Sequence, residues 1–504
     1  MRNPALSIAV FSGSLLFATE PNAATKRWWA HTVALATDGM RGRDTGSEDY
    51  NRAAAYVARQ FARLGLEPAG TLGYFQPVPL KATRLVKGAS EAVITRSDGQ
   101  SIRLEWFRQI TVPVRQGMHV AIDAPLVFVG TDLPADFDLK GKVVVTLATP
   151  RFIPDVRAYS VKLPPDAGAS ATLTVPSAEG PEPQRWPVAY SVSMTIDGAP
   201  PADSRNATAV PAFTINAANA DALFQGSGHT YDELLSLAKS GKPVPSFALP
   251  STFHAKLALA NASLSSDNIL AVLPGSDSAL KDEYVLVSAH LDGYGIGEPW
   301  NRDAIYNGAF DDAAYVATLI DFAERLKDSH RKTKRPILFC VFTGEEKGLL
   351  GSKYFAAHPT IDKSKLIANI NLDILRPIFP LKILTVLGLE DSTLGDAARK
   401  VAEPMGIRVQ PDPEPLRGLI RRSDHQSFMQ IGVPSLGFVF GYEKGSPEEV
   451  IYRKWYAERY HTPADDLNQP WVPEAASKFN NFFGRLVEAV ADAAERPHLS
   501  VKPM

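Results

Sequence analysis

The sequence predicts an α/β protein, a doubly wound mixed sheet carrying an inserted, mostly β, domain. Three observations predict it. From Asn268 onward, short β-prone apolar runs alternate with stretches of helical period. Over 112–253 that alternation gives way to brief β-like runs separated by Pro-, Gly-, Ala- and Ser-rich stretches. Histidines and carboxylates recur at the ends of the apolar runs, where a parallel sheet opens its crevice.

At 504 residues the chain is too long for one compact core, so two domains are expected. Its 45% hydrophobic and 21% charged residues are those of an ordinary globular protein. A net charge of -2 with no long basic run argues against nucleic acid or an anionic membrane surface as the main partner. Arg2 precedes a mostly apolar stretch, 5–18, and Ala23 and Ala24 follow, so residues 1–24 read as a secretory signal peptide. The stretch is too short, and too abruptly polar at Glu20, for a membrane anchor, and no later apolar run has membrane length. The expectation is an exported protein, periplasmic or secreted. Cys340 is the single cysteine, which excludes an intramolecular disulfide, and its apolar setting marks it as a core residue.

Along the chain, Ser47 can cap a helix over Glu48–Leu64, with Tyr50, Ala54, Val57, Phe61 and Leu64 on one face. Gly65 stops it. The runs 126–129 and Val143–Leu147 are strand-like, and 164–206 is dense in turn formers without a helical period. Segments 25–111 and 257–504 are therefore assigned to one domain and 112–256 to the insertion. Later helical stripes run through Val316, Leu319, Ile320, Ala323 and Leu326, through Leu394, Ala397, Ala398 and Val401, and through Phe479, Phe482, Phe483, Leu486, Val487 and Val490.

The chemistry sits at the ends of these elements. The run 284–289 ends in His290, Ile337–Phe342 ends in Thr343-Gly344-Glu345-Glu346, and 367–372 ends in Asp373. A neutral imidazole can bind zinc while Asp292, two residues on, orients the other ring nitrogen. Read alone, His290-Leu291-Asp292 favours a solvated loop pair. Asp311-Asp312 opens the Val316 helix, and an aspartate there is a good cap; a two-oxygen carboxylate can also bridge two metal ions. Two adjacent glutamates at a strand end are costly unless a positive charge lies beside them. A metal supplies that charge, with one glutamate ligating and the other acting as base. His461 lies in a turn-rich loop and completes the set, and His425 is a candidate substrate contact or orienting group. No His-Glu-x-x-His helix is present.

These stretches resemble the M28 family of co-catalytic zinc peptidases, which includes aminopeptidases and glutamate carboxypeptidases. The resemblance rests on Ser288-Ala289-His290-Leu291-Asp292, on Asn307-Gly308-Ala309-Phe310-Asp311-Asp312, and on Phe342-Thr343-Gly344-Glu345-Glu346. It continues through Asn371-Leu372-Asp373, Arg422-Ser423-Asp424-His425 and Tyr460-His461-Thr462-Pro463, and Gly42-Arg43-Asp44-Thr45-Gly46-Ser47 resembles the family's opening. Pro125 to Gly130, with Leu139-Lys140-Gly141-Lys142-Val143-Val144, resembles a protease-associated domain.

The resemblance implies a zinc-exopeptidase fold of the phosphorylase/hydrolase-like kind and two zinc ions per chain. One ion would sit on His290, Asp311 and Asp373, the other on Asp311, Glu346 and His461. Asp311 would be the bridge, joined to Asp312 by a cis peptide bond. Glu345 would be the general base toward a zinc-bridging water, and Tyr460 a partner of the oxyanion. Two residues depart from the family pattern: Tyr315 stands at a usually small position, and Arg376, near Asp373, at one that is often glycine. The implied function is an exported aminopeptidase acting on peptides. The alternatives are a glutamate carboxypeptidase with Arg417, Arg421 and Arg422 as carboxylate clamp, a receptor-like binding protein, and a one-zinc glutaminyl-cyclase-like enzyme.

Overall fold

A computed structural model describes residues 21–164, 167–199, 210–373 and 376–500. The expected leader, 1–24, lies outside the described residues as far as residue 20. Of its remainder, Asn22 caps a helix over Ala23–Ala36 by accepting a hydrogen bond from the Thr25 amide, so position 24 falls in that helix's first turn. Among the described residues no helix is long and apolar enough to cross a membrane.

The centre is a ten-stranded mixed sheet. Tyr284–His290 lies between Ile337–Phe342 and Leu366–Asn371, parallel to both, and Ser435–Gly441 continues the parallel block. These strands are buried along nearly their whole length because both faces are covered. Val285, Val287, Ala289, Phe339 and Ile370 pack on one side against the helices Ala23–Ala36, Glu48–Leu64, Ala314–Asp328 and Pro473–Asp492. Leu286, Leu338, Cys340 and Phe342 pack on the other, with Phe355 and Phe428. The doubly wound expectation holds, and Cys340 is buried. Glu48–Leu64 has the predicted bounds, with Ser47 accepting from the Tyr50 amide and Gly65 left-handed at φ 83°.

A second, eight-stranded sheet has its own core, with Ile94, Val112, Leu126, Val145, Leu173 and Phe253 inside it. Its extent differs from the expected 112–256. Glu91–Arg96, Ser101–Arg103 and Ile110–Thr111 already belong to it, because Ala92 and Ile94 point into its core. Conversely, Val192–Ile196 leaves it and pairs antiparallel with Phe75–Leu85, on the edge of the central sheet. Tyr231–Lys239 adds a helix that the turn-rich texture concealed. The crossing back at Val192–Ile196 draws the preceding residues over the crevice at the strand ends.

Candidate metal centre

His290 closes its strand, and its imidazole is fixed from behind. Nδ1 lies 3.0 Å from the Asp292 carbonyl oxygen, so Nδ1–H donates there and Nε2 faces the crevice. The Asp292 carboxylate does not hold the ring as expected. It stands 3.8 Å from Nδ1 and instead accepts from the Glu345 amide at 3.0 Å, the Glu346 amide at 3.3 Å and the Thr45 hydroxyl at 3.0 Å. A carboxylate with three short donors nearby has no reason to take a longer fourth. Asp292 therefore shapes the glutamate turn.

The turn Ala309–Ala313 delivers Asp311 ahead of helix Ala314–Asp328, and the Asp311–Asp312 peptide bond is cis. Neither aspartate caps the helix. Asp312 Oδ2 accepts the His290 amide at 3.1 Å. Gly308 has φ 58°, and a Cβ there would lie 2.3 Å from the Asp311 carbonyl oxygen, so the turn admits only glycine.

Asp311 offers one oxygen to each side. Oδ1 is 3.3 Å from His290 Nε2, which is also 3.8 Å from Asp373 Oδ1. Oδ2 is 3.2 Å from His461 Nε2, which is also 3.4 Å from Glu346 Oε2. Glu345 Oε2 lies 3.9 Å from His290 Nε2. Each trio can bring its ligand atoms within 4.8 Å of one another. Burial, joined by Asp373, Glu346 and Asp424, pushes Glu345 well above the usual carboxyl range. Burial pushes Asp312 up as well. Burial also opposes ionisation of Asp311, but His290 and His461, with Arg376 behind them, outweigh it and hold that group well below its usual value. Burial lowers His461.

The donor set fits zinc. Imidazole nitrogens and carboxylate oxygens are zinc ligands, and corners 3.2–3.8 Å apart suit tetrahedral bonds of roughly 2.0–2.2 Å. Buried His290 Nε2, Asp311 Oδ2 and Glu346 Oε1 have no hydrogen-bond partner in the protein, which a coordinating cation remedies.

Several supports carried no readable signal. Asp465 accepts the Phe310 and Asp311 amides, both at 3.0 Å, and burial raises it to about 6. Tyr294 places its hydroxyl 3.0 Å from His461 Nδ1. Buried Arg43 donates to the carbonyls of Leu35, Leu291, Asn307 and Gly308, tying the two ligand loops together. The Gly42-Arg43-Asp44-Thr45 stretch was a marker in the sequence, but its carbonyl partners were not.

Tyr460 stacks on the His461 ring at 3.6 Å between centroids. His425 is 1% exposed, as buried as His290. It packs at the end of strand Leu366–Asn371, inside the sheet, 3.4 Å from Asn371, and burial lowers it to about 4. From the second sheet, Glu182 binds Arg417 and Arg422, and the Tyr190 hydroxyl accepts from Lys347 at 2.7 Å. A cavity of about 310 Å³ lies beneath that segment, reaching from Thr149 and Thr174 past Arg185 to Tyr294, Tyr460 and His461.

The family model for Peptidase family M28 matches residues 268–486. Over that stretch, somewhat under half of the chain, the sequence is similar to peptidase family M28. A protein of Pyrenophora tritici-repentis described as a probable zinc metalloprotease is 37% identical over 105 residues, which cover 21% of this chain and 23% of that protein. An aminopeptidase of Bacillus subtilis is 28% identical over 191 residues, covering 37% of this chain and 36% of the relative. A probable glutamate carboxypeptidase of Arabidopsis thaliana is 29% identical over 207 residues, 38% of this chain and 27% of the relative. The chain thus spans well under half the length of these curated relatives. The solved aminopeptidase from Aneurinibacillus sp. strain AM-1 is similar in fold across both sheets, covering 95% of this chain and 96% of its own at TM-score 0.59 and 19% identity.

Proposed function

We propose that the protein is an exported dizinc aminopeptidase that releases residues from the N-termini of peptides. The observation that carries the reading is Asp311, whose two oxygens face two histidine-carboxylate sets with Glu345 beside them. The M28 match over 268–486 supports it. Zinc ions held by His290, Asp311 and Asp373 and by Asp311, Glu346 and His461 would polarise the scissile carbonyl and acidify water. Glu345 takes the proton of the attacking water and returns it to the leaving amine. The Tyr460 hydroxyl, on a ring that lines the cavity, is the side-chain donor for the oxyanion. The second sheet is read as a protease-associated insertion whose segment around Arg185 walls that cavity.

The carboxypeptidase reading needed free arginines. Of the three arginines expected as the clamp, Arg417 is buried and it and Arg422 are already paired with Glu182, which leaves the exposed Arg421 outside that pairing.

The test is mass spectrometry of a mixed peptide pool after incubation with zinc-loaded protein. Ladders losing N-terminal residues, blocked by N-acetylation, are expected. Ladders from the other end, blocked by C-terminal amidation, would transfer the reading to a carboxypeptidase. Glu345→Gln should lower turnover by about 10²–10⁴-fold while zinc per chain stays unchanged. Retained turnover would remove Glu345 as the base.

A further inference from the structure

Arg376 is 1% exposed and lies against the metal centre. Its Nη2 is 3.8 Å from Asp311 Oδ2, the oxygen that faces His461; the His290 set uses Oδ1. The guanidinium carbon sits 4.4 Å from the centroid of a Trp455 ring and 5.2 Å from those of Tyr456 and Tyr460. None of Nε, Nη1 and Nη2 has a hydrogen-bond partner in the protein. A guanidinium does not shed its proton to escape burial, and a buried charge without hydrogen bonds is costly. Three aromatic faces return part of that cost. The remainder has one nearby source, the negative charge of Asp311 and the carboxylates around it.

That pairing acts in opposite directions with and without metal. In the ion-free protein Arg376 offsets like charges crowded into one crevice. With ions bound, it is a fixed cation beside the ligand oxygen of one site only, in surroundings that screen it poorly. We propose that Arg376 makes the two metal sites unequal, weakening the ion on the Asp311, Glu346 and His461 side while stabilising the metal-free fold. The inference rests on the two-zinc reading above. It makes Arg376 a positioning and tuning residue, since it does not line the cavity that reaches His461.

The experiment is a zinc titration of chelator-stripped protein against a competing chromophoric chelator, with thermal melts of the zinc-free forms. Wild-type protein should bind two ions whose dissociation constants differ by at least tenfold. Arg376→Gln should tighten the weaker ion at least tenfold, change the tighter one less than threefold, and lower the melting temperature of the zinc-free form. Arg376→Lys, which keeps the charge, should stay close to wild type in the titration. A residue that only fills space would lower stability with and without zinc and would not tighten an ion. An unchanged or weakened second ion in R376Q overturns the inference and leaves the two-zinc reading standing. Two equal wild-type affinities overturn it too, even if R376Q does not fold. Absence of a second ion in wild-type protein overturns both.

Discussion

The two halves of the proposed metal centre share Asp311 but are built differently. On one side His290 ends a central strand, is 1% exposed and is held by the carbonyl oxygen of Asp292. On the other, His461 sits in a loop, is 25% exposed, adopts φ 56° and is held by a tyrosine hydroxyl. The strand-end half is fixed by the sheet, whose hydrogen-bond ladder leaves His290 little freedom. The loop half is fixed by side chains from other parts of the chain, and it is the half that meets the cavity and the second sheet. A centre of this kind keeps one ligand set rigid and lets the other be adjusted by what packs against it.

The sharpest way to break the comparison is at the residue both halves share. Asp311→Asn leaves each oxygen position filled but removes the charge both trios depend on. Zinc content should fall for both ions and turnover should drop to background, measured by elemental analysis and a peptide assay. Retention of one full zinc equivalent would mean that one half stands without the bridge.

The strand-end half was legible in the sequence because its signal is periodic. His290, Glu345 and Asp373 each follow a mostly apolar run, and a run buried on both faces leaves its end for polar chemistry. In the loop half Glu346 carries the same signal, but its grouping with His461 was legible only through resemblance. Tyr294, Asp465 and Tyr190 reach the centre across distant stretches of chain, and no local pattern reports such meetings. Asp292 shows the limit of local reasoning. Its spacing from His290 suggested a ring partner, and the backbone amides of Glu345 and Glu346 compete for the carboxylate and win. Arg376 stood out as an unusual residue, but its three aromatic walls come from the docking of helix Pro447–Glu458 and the loop behind it. The edges of the second sheet were missed for a similar reason. A strand's sheet membership is decided by which core its alternate residues enter, as Ala92 and Ile94 show.

A smaller effect sharpens the role of the glutamate turn. Asp292→Ala removes the acceptor of the Glu345 and Glu346 amides and leaves the Nδ1 contact of His290 to the backbone intact. Turnover should fall by about 10–100-fold, with the ion on the His290 side retained. Loss of that ion instead would show that the carboxylate supports the imidazole after all.

The smallest effect separates the halves most cleanly. Tyr294→Phe removes one hydroxyl and keeps the ring against His461, where the centroids are 4.6 Å apart. With Nε2 turned toward Asp311 and Glu346, Nδ1 carries the proton and Tyr294 accepts it. Without that acceptor the imidazole is a poorer base and freer to rotate. Affinity should therefore fall about tenfold for the loop-side ion alone, read by the same chelator competition. Because Arg376 and Tyr294 act on one ion from opposite sides, Y294F and R376Q should move its dissociation constant in opposite directions. Equal weakening of both ions by Y294F would mean that the two halves respond as one unit through Asp311, and that the division between strand end and loop has no energetic counterpart.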